Sequence, residues 1–310
     1  MSDLASAIDH LLKAKRISAP SQSYAKDNPA EYQKVKAYLD GGARPTGVTT
    51  EMGLGLIEVE DVRRAVTPPP PPPPDPGHGT LIFEDQFDTL RWDTVWTSGI
   101  WGYDTGNPGN EAQVYRRANA TVSGGILSLT AKREDATTSW PNYSGKVFPY
   151  TSGMISSDPL QVSGAGFDFQ YGYMEARIKI PSGRGLWPAF WCPPNSATPG
   201  EIDMMEILGH EPAKLHMNYH GSFSQGSSYT APVSLALDYH IYGLDWRAGK
   251  LVWYLDNVER FRIENSQITS ARKYLDLNLA VGGDGSWPGP PDASTVFPAT
   301  MLVDWVKVWQ

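Results

Sequence analysis

The stretch GEIDMMEILG, residues 200–209, sets Glu201, Asp203 and Glu206 within six positions, with isoleucine and methionines between them. Like charges this close raise one another's pKa values. Three carboxylates on one face cannot all ionise cheaply. Acid/base chemistry requires that split, with one group ionised and another kept protonated near neutral pH. Cleavage of a glycosidic bond uses such a pair, with the carboxyls about 5–5.5 Å apart for retention and about 6.5–9.5 Å apart for inversion. Taken alone the segment is ambiguous, because Ile202, Met205 and Leu208 also make a helical stripe with a solvated acidic face.

The surrounding elements shift the balance toward a strand. TLIFEDQFD, TVSGGILSLTAKRE, YGYMEARIKIP, AKLHMNYHGSF, YHIYGLDWRAGKLVWYLDNVERFRI, YLDLNLAVGG and TMLVDWVKVWQ alternate apolar with polar residues and end in Gly, Pro, Asn or Asp. Many short strands with frequent turn signals indicate a sandwich or barrel. Asp256-Asn257 marks a hairpin, and no strand–helix–strand spacing appears, which argues against a parallel α/β sheet. In a strand, residues i and i+2 share a face. Glu201 and Asp203 then point one way and Glu206 the other, unless a β-bulge at Met204-Met205 supplies one extra residue and returns Glu206 to the carboxylate face. On a straight strand, with the bulged pair counted as one step, the two glutamate Cα atoms stand ~13 Å apart. A curved strand and long side chains close that gap, which is compatible with retention.

Further side chains fall into register with this face. His216, Asn218 and His220 alternate along KLHMNYHG, so they line the same face if that strand neighbours EIDMME. Trp187 and Trp191 in GLWPAFW suit the apolar faces of pyranose rings, with core packing as the competing role. Trp101 in GIWGYDTGN and Trp287 in GSWPGP lie in Gly-rich, loop-like stretches, where exposed aromatics suggest binding. Glu175 and Arg177 alternate on YGYMEARIKIP and are expected to face the same cleft, with a cross-strand ion pair as the alternative. Cys192 is the sole cysteine. It rules out an intramolecular disulfide and reads as a packing residue.

GEIDMMEILG resembles the bulged Glu-x-Asp-x-x-Glu signature of glycoside hydrolase family 16, laminarinase-like endo-β-glucanases in particular. FEDQFD, NEAQVY, YGYMEARIKIPSGRGLWPAFWCPP, HMNYHG, LNLAVGG and MLVDWVKVWQ recur in that family in the same order, across roughly residues 80–310. The resemblance implies an all-β fold, a β-jelly-roll sandwich of two curved antiparallel sheets with a substrate cleft on the concave side. It implies endo-acting, retaining hydrolysis of internal β-linkages in glucans or galactans. Glu201 would be the nucleophile, Glu206 the general acid/base, and Asp203 the carboxylate that orients the nucleophile. Asn110 and Glu111 match a segment that bonds sugars, and Asn278 matches a position that contacts sugar hydroxyls. Catalysis needs no cofactor. Asp304 resembles the side-chain ligand of a structural Ca2+ site, with carbonyls near Gln86 and Gly125 completing it. The expected substrate is a β-1,3 or mixed β-1,3/1,4 glucan. Alternatives are another β-glycan, such as a galactan or bacterial exopolysaccharide, or a glucan-binding protein without turnover.

The chain of 310 residues is 40% apolar and 19% charged, enough to build a core, and is rich in Trp, Tyr, Gly and Pro as a turn-rich β protein would be. Residues 1–66 balance nine basic against nine acidic side chains, so the formal net charge of −8 lies wholly in residues 67–310. That acidic excess argues against a nucleic-acid partner. No apolar run approaches the ~18 residues of a membrane span, and MSDLASAIDHLLKAKR has no signal-peptide pattern. A protein acting on extracellular glucan would then need a true start upstream of this one, non-standard export, release by lysis, or a place on a virion. TPPPPPPPDPGHG, residues 67–79, is a stiff polyproline spacer about 20 Å long. Residues 1–66 before it pattern as a small helical module, with Asn28-Pro29 opening its second helix. The module is expected to serve as an adaptor or attachment unit for an unidentified protein partner, or to dock elsewhere.

Overall fold

A computed structural model describes residues 30–31, 33–34, 46–49, 77–99, 103–104, 110–162, 166–194 and 200–310. The chain divides into two units, Met1–Pro73 and Pro74–Gln310. In the first unit residues 30–31 and 33–34 are helical, inside the second helix expected from Asn28-Pro29, and the Thr49 N–H donates to the Glu31 carboxylate at 3.0 Å. The remaining helices expected before the proline run, and most of that run, lie outside the described residues.

The two large sheets of the second unit are antiparallel, and Gln113–Tyr115 pairs in parallel with Tyr150–Ser152 beside them. One sheet orders its strands Ser224–Thr230, Lys214–His220, Glu201–Ile207, Leu186–Cys192, Asp276–Val281 and Met154–Ser156. We call it the carboxylate sheet. The opposing sheet orders Val258–Glu264, Lys250–Leu255, His240–Arg247, Gly172–Lys179, Ala299–Trp309, Ile126–Ala131 and Ala120–Ser123, and Leu81–Asp85 also pairs with the long Ala299–Trp309 strand. Between them lies one apolar core that includes Met174, Ala176, Ile178, Phe190, Ile202, Met204, Met205, Leu244, Trp253, Leu277 and Val303. Strands that bury one face alternate, which is why the period of two was legible. The expected hairpin is present: Asp256 and Asn257 both have positive φ, at 52° and 62°, joining Lys250–Leu255 to Val258–Glu264. Two-residue turns of this hand match the twist of the strands they join.

Two strands escaped the alternation rule. Ser224–Thr230 has one aromatic, Tyr229, among polar residues and a glycine, and it occupies the sheet edge, where burial imposes only a weak pattern. Leu186–Cys192 is central yet contains Pro188, which removes a ladder donor and normally excludes a central strand. Leu279, the residue opposite Pro188, is provided for elsewhere: its N–H donates to the Gly153 carbonyl at 3.2 Å, and its carbonyl accepts from the Ser152 hydroxyl.

Candidate active site

Cross-strand partners lie on the same face of a sheet, so the register of the carboxylate sheet shows which side chains share its outer face. Glu201 stands opposite His220, Asp203 opposite Asn218, and Glu206 opposite His216. On the other side Asp203 pairs with Trp191 and Glu206 with Ala189, while the alternate pairs Cys192–Ile202 and Phe190–Met205 point into the core. The register slips between Asp203 and Glu206. Met204 and Met205 are both fully buried there, as the extra residue of a bulge requires. Each methionine gains about 1.5–3 kcal/mol by burial. Without the bulge Glu206 would enter the core, where an unpaired carboxylate costs several kcal/mol. The order polar, apolar, polar, apolar, apolar, polar therefore admits an extended backbone only with one residue inserted.

The bulge is tied to the opposite sheet. The buried Trp253 indole N–H, from Lys250–Leu255, crosses the core to donate to the Asp203 carbonyl at 2.8 Å. Nothing in the residue pattern marks this bond, and we found it only in the fold.

Glu206 is held by two donors: Asn218 Nδ2 at 2.7 Å to one oxygen and Trp187 Nε1 at 3.1 Å to the other. Burial pushes its pKa up, and these two bonds, which favour the ionised form, only partly offset that push. Glu201 is raised to about 7, first by burial and then by the charge of Glu206, with the buried Lys273 ammonium opposing. Asp203 is raised by burial, then by Glu206 and Glu201. All three acids thus hold their protons above the ordinary carboxylate range, through burial first and, for Glu201 and Asp203, through the neighbouring charges as well. Burial lowers the pKa of both His216 and His220. A carboxylate oxygen from each of Glu201 and Asp203 and a ring nitrogen of His220 lie within 4.8 Å of one another.

The aromatic side chains extend this face. Trp187 and Trp191 pair with Ala280 and Asp276, so both lie on the outer side. Trp191 Nε1 donates to Asn278 Oδ1 at 2.8 Å, and Asn278 Nδ2 donates to the Tyr115 hydroxyl at 3.0 Å. Trp287 is 47% exposed and stands edge-on to Trp187 at 5.8 Å and to His216 at 4.6 Å. Asn110 and Glu111 line a neighbouring cavity of about 390 Å3 with Tyr150, Gly282 and Gly283. Glu111 accepts from Gln113 Nε2 at 2.6 Å. Trp101 lies outside the described residues. Asp276 and Tyr115 were missed. Asp276 could have been found, because it precedes Asn278 by two in LDLNLAV and shares its face. Tyr115 arrives from a separate strand that no local pattern links to the site.

Glu175 and Arg177 are a correction. They lie on Gly172–Lys179 in the opposing sheet, whose core face carries Met174, Ala176 and Ile178. They therefore point away from the sandwich, on the side opposite the carboxylates. Glu175 accepts from the Tyr173 hydroxyl at 3.1 Å, and Arg177 pairs with Asp304 at 2.7 Å. Alternation identified the shared face of the two residues correctly but could not say in which sheet it lay.

That same ion pair bears on calcium. The Gln86 carbonyl does lie close to Gly125, 3.6 Å from where a Cβ would stand. Asp304, the single carboxylate of the implied set, already has its charge met by the Arg177 guanidinium. Calcium takes 6–8 oxygen ligands, of which the implied residues would supply one carboxylate and two backbone carbonyls.

Residues 109–307 match the family described as Glycosyl hydrolases family 16. The chain is 31% identical over 271 residues to a beta-glucanase of Rhodothermus marinus, covering 75% of this chain and 86% of that protein. It is 33% identical to the clotting factor G alpha subunit of Tachypleus tridentatus, covering 71% of this chain but only 34% of that longer protein. Among solved structures, the endo-beta-1,3-glucanase of Pyrococcus furiosus superposes with a TM-score of 0.63 at 34% identity, over 74% of this chain and 93% of that one.

Proposed function

The chain belongs to glycosyl hydrolases family 16, and from that premise we propose that residues 80–310 form an endo-acting, retaining β-glucan hydrolase, with β-1,3 or mixed β-1,3/1,4 linkages as its target. One observation carries the reading: the bulge at Met204-Met205 brings Glu201, Asp203 and Glu206 onto one open face of a sheet otherwise packed against a core.

Glu201 attacks the anomeric carbon while Glu206 protonates the departing glycosidic oxygen, leaving a covalent glycosyl-enzyme. Glu206, now ionised, takes a proton from water, which displaces Glu201 and restores the original anomer. The raised pKa of Glu206 keeps its proton available at the start of the cycle. Its two N–H partners then stabilise the carboxylate it becomes. Lys273 counters the upward push on Glu201 and favours the ionised nucleophile. Asp203, on the same face as Glu201, orients the nucleophile. Trp187, Trp191 and Trp287 offer flat apolar surface to pyranose rings, and His216, Asn218, His220 and Asn278 offer polar atoms to their hydroxyls. Asn110 and Glu111 extend the sugar-binding surface into the neighbouring cavity. Residues 1–66 take the adaptor, attachment or docking role. Among the described residues no helix is long and apolar enough to cross a membrane.

The test is reducing-sugar release from laminarin, lichenan, agarose and carrageenan, with product anomers followed by NMR. Release from the first two with retention, lost in Glu201→Gln, supports the proposal. Inversion, or undiminished release by Glu201→Gln, refutes it.

A further inference from the structure

The outer face of the carboxylate sheet holds ligand atoms in an arrangement that glycosidic chemistry does not by itself require. Asp203 is 2% exposed, and its Oδ2 accepts no hydrogen bond. A buried carboxylate oxygen with no donor is costly, and it marks a place where a cation would be stabilised. His220 Nε2 lies 3.5 Å from that oxygen, beyond the usual hydrogen-bond length. The His220 Nδ1 stands 3.4 Å from the Ser224 hydroxyl on the edge strand, which fixes the side of the ring turned toward Asp203. His220 is also the cross-strand partner of Glu201. One atom from each of the three residues therefore falls within a 4.8 Å span.

We propose that Glu201, Asp203 and His220 bind a single zinc ion, which locks the hydrolytic site. The two carboxylate oxygens and one imidazole nitrogen match zinc, whose bonds to such ligands run about 2.0–2.2 Å. Ligand atoms spread over 4.8 Å close onto an ion at that radius with small side-chain rotations, and His220, half exposed, is free to make the largest of them. Imidazole disfavours calcium and magnesium, and the two carboxylates disfavour soft monovalent copper. The fourth position faces the open side of the sheet and takes water. With Glu201 ligated, the zinc ion and its water stand on the face that an anomeric carbon must approach. The inhibitory part of this inference rests on the hydrolase reading; the binding part does not.

The experiment is calorimetric titration of zinc chloride into the metal-free full chain at pH 7, alongside laminarin hydrolysis at the same zinc concentrations. The expected result is one ion per chain, binding at least tenfold more weakly in both His220→Gln and Glu201→Gln. His240→Gln, at a separate exposed His–Asp pair, should bind as the parent does. Zinc should abolish hydrolysis over the concentration range in which it binds, and EDTA should restore it. Circular dichroism of His220→Gln checks that the half-exposed substitution leaves the fold intact. No binding by the parent, equal binding by both active-face variants, or full hydrolysis by the zinc-saturated protein would each overturn the proposal. If the chain hydrolyses no glucan at all, the hydrolase reading fails, and the calorimetric comparison still decides on the metal.

Discussion

Replacing Trp253 with Phe tests whether the bulge depends on support from the opposite sheet. The substitution keeps an aromatic ring against Phe261, 5.1 Å away between centroids, but removes the N–H that reaches the Asp203 carbonyl. That carbonyl sits at the point where the ladder to Lys214–His220 loses register, so no strand donor is positioned to replace the indole. A buried acceptor left without its partner costs about 1–3 kcal/mol. For a domain of this size each kcal/mol lowers the melting temperature by about 2–4 °C, so the variant should melt roughly 2–12 °C below the parent. The bond also sets the direction of the backbone between two of the three acids. Misplacement of reacting groups by about 1 Å can cost ~100-fold in rate, so kcat on laminarin should fall by about 10–100-fold with little change in KM. Trp246→Phe is the control. Trp246 is equally buried and donates to a carbonyl, that of Thr269 at 3.2 Å, which lies outside the bulge. It should lose comparable stability while keeping kcat. If Trp253→Phe melts with the parent, or if both variants lose kcat alike, the bulge does not depend on this bond.

Asn218→Ala removes a hydrogen bond that favours ionised Glu206, so the pKa of the acid should rise further. Because the acid must be protonated to act, the basic limb of kcat/KM should move to higher pH; an unmoved limb would refute the assignment. Gly226→Ala probes the same bond from behind. A Cβ there would stand 2.0 Å from Asn218 Oδ1, so overpacking should cost about 1–3 kcal/mol and shift the limb in the same direction, readable by thermal melting and a pH–rate profile. Asp256 has its pKa lowered by His240 and by the Ile241 N–H, against opposing desolvation. A depressed folded pKa stabilises above the unfolded value and is lost as pH falls through the folded one. Asp256→Asn should therefore melt up to about 1 kcal/mol below the parent at neutral pH, since the pair is half exposed, and the two should converge below about pH 4, where model carboxylates protonate. Added to zinc-free protein, calcium should leave the melting temperature unchanged if the Arg177–Asp304 pair is the resting state of the implied calcium residues; a rise of several degrees would restore that metal.

How much of this was readable beforehand follows from the range of each physical signal. The bulge was legible because it is a local conflict: two adjacent methionines must both be buried while acids flank them, and a period of two cannot satisfy that without an inserted residue. The pairing of His216 and His220 with the acids was legible on the condition that the two strands are neighbours, which their separation by one short turn favours. Glu175 and Arg177 failed on the opposite ground. Their alternation is as clean as that of EIDMME, but which sheet a strand joins is fixed by pairing with Ala299–Trp309, more than a hundred residues away. Sequence separation also hid Trp253 and Tyr115, 50 and 163 residues from partners set by tertiary packing alone. Local period thus assigns a residue to a face, and only long-range pairing assigns that face to the substrate or away from it. A family signature bridges the gap where it names the strand, as it does for Glu201 and Glu206. At Asp304 the signature names a carboxylate, and in this structure that carboxylate pairs with the Arg177 guanidinium.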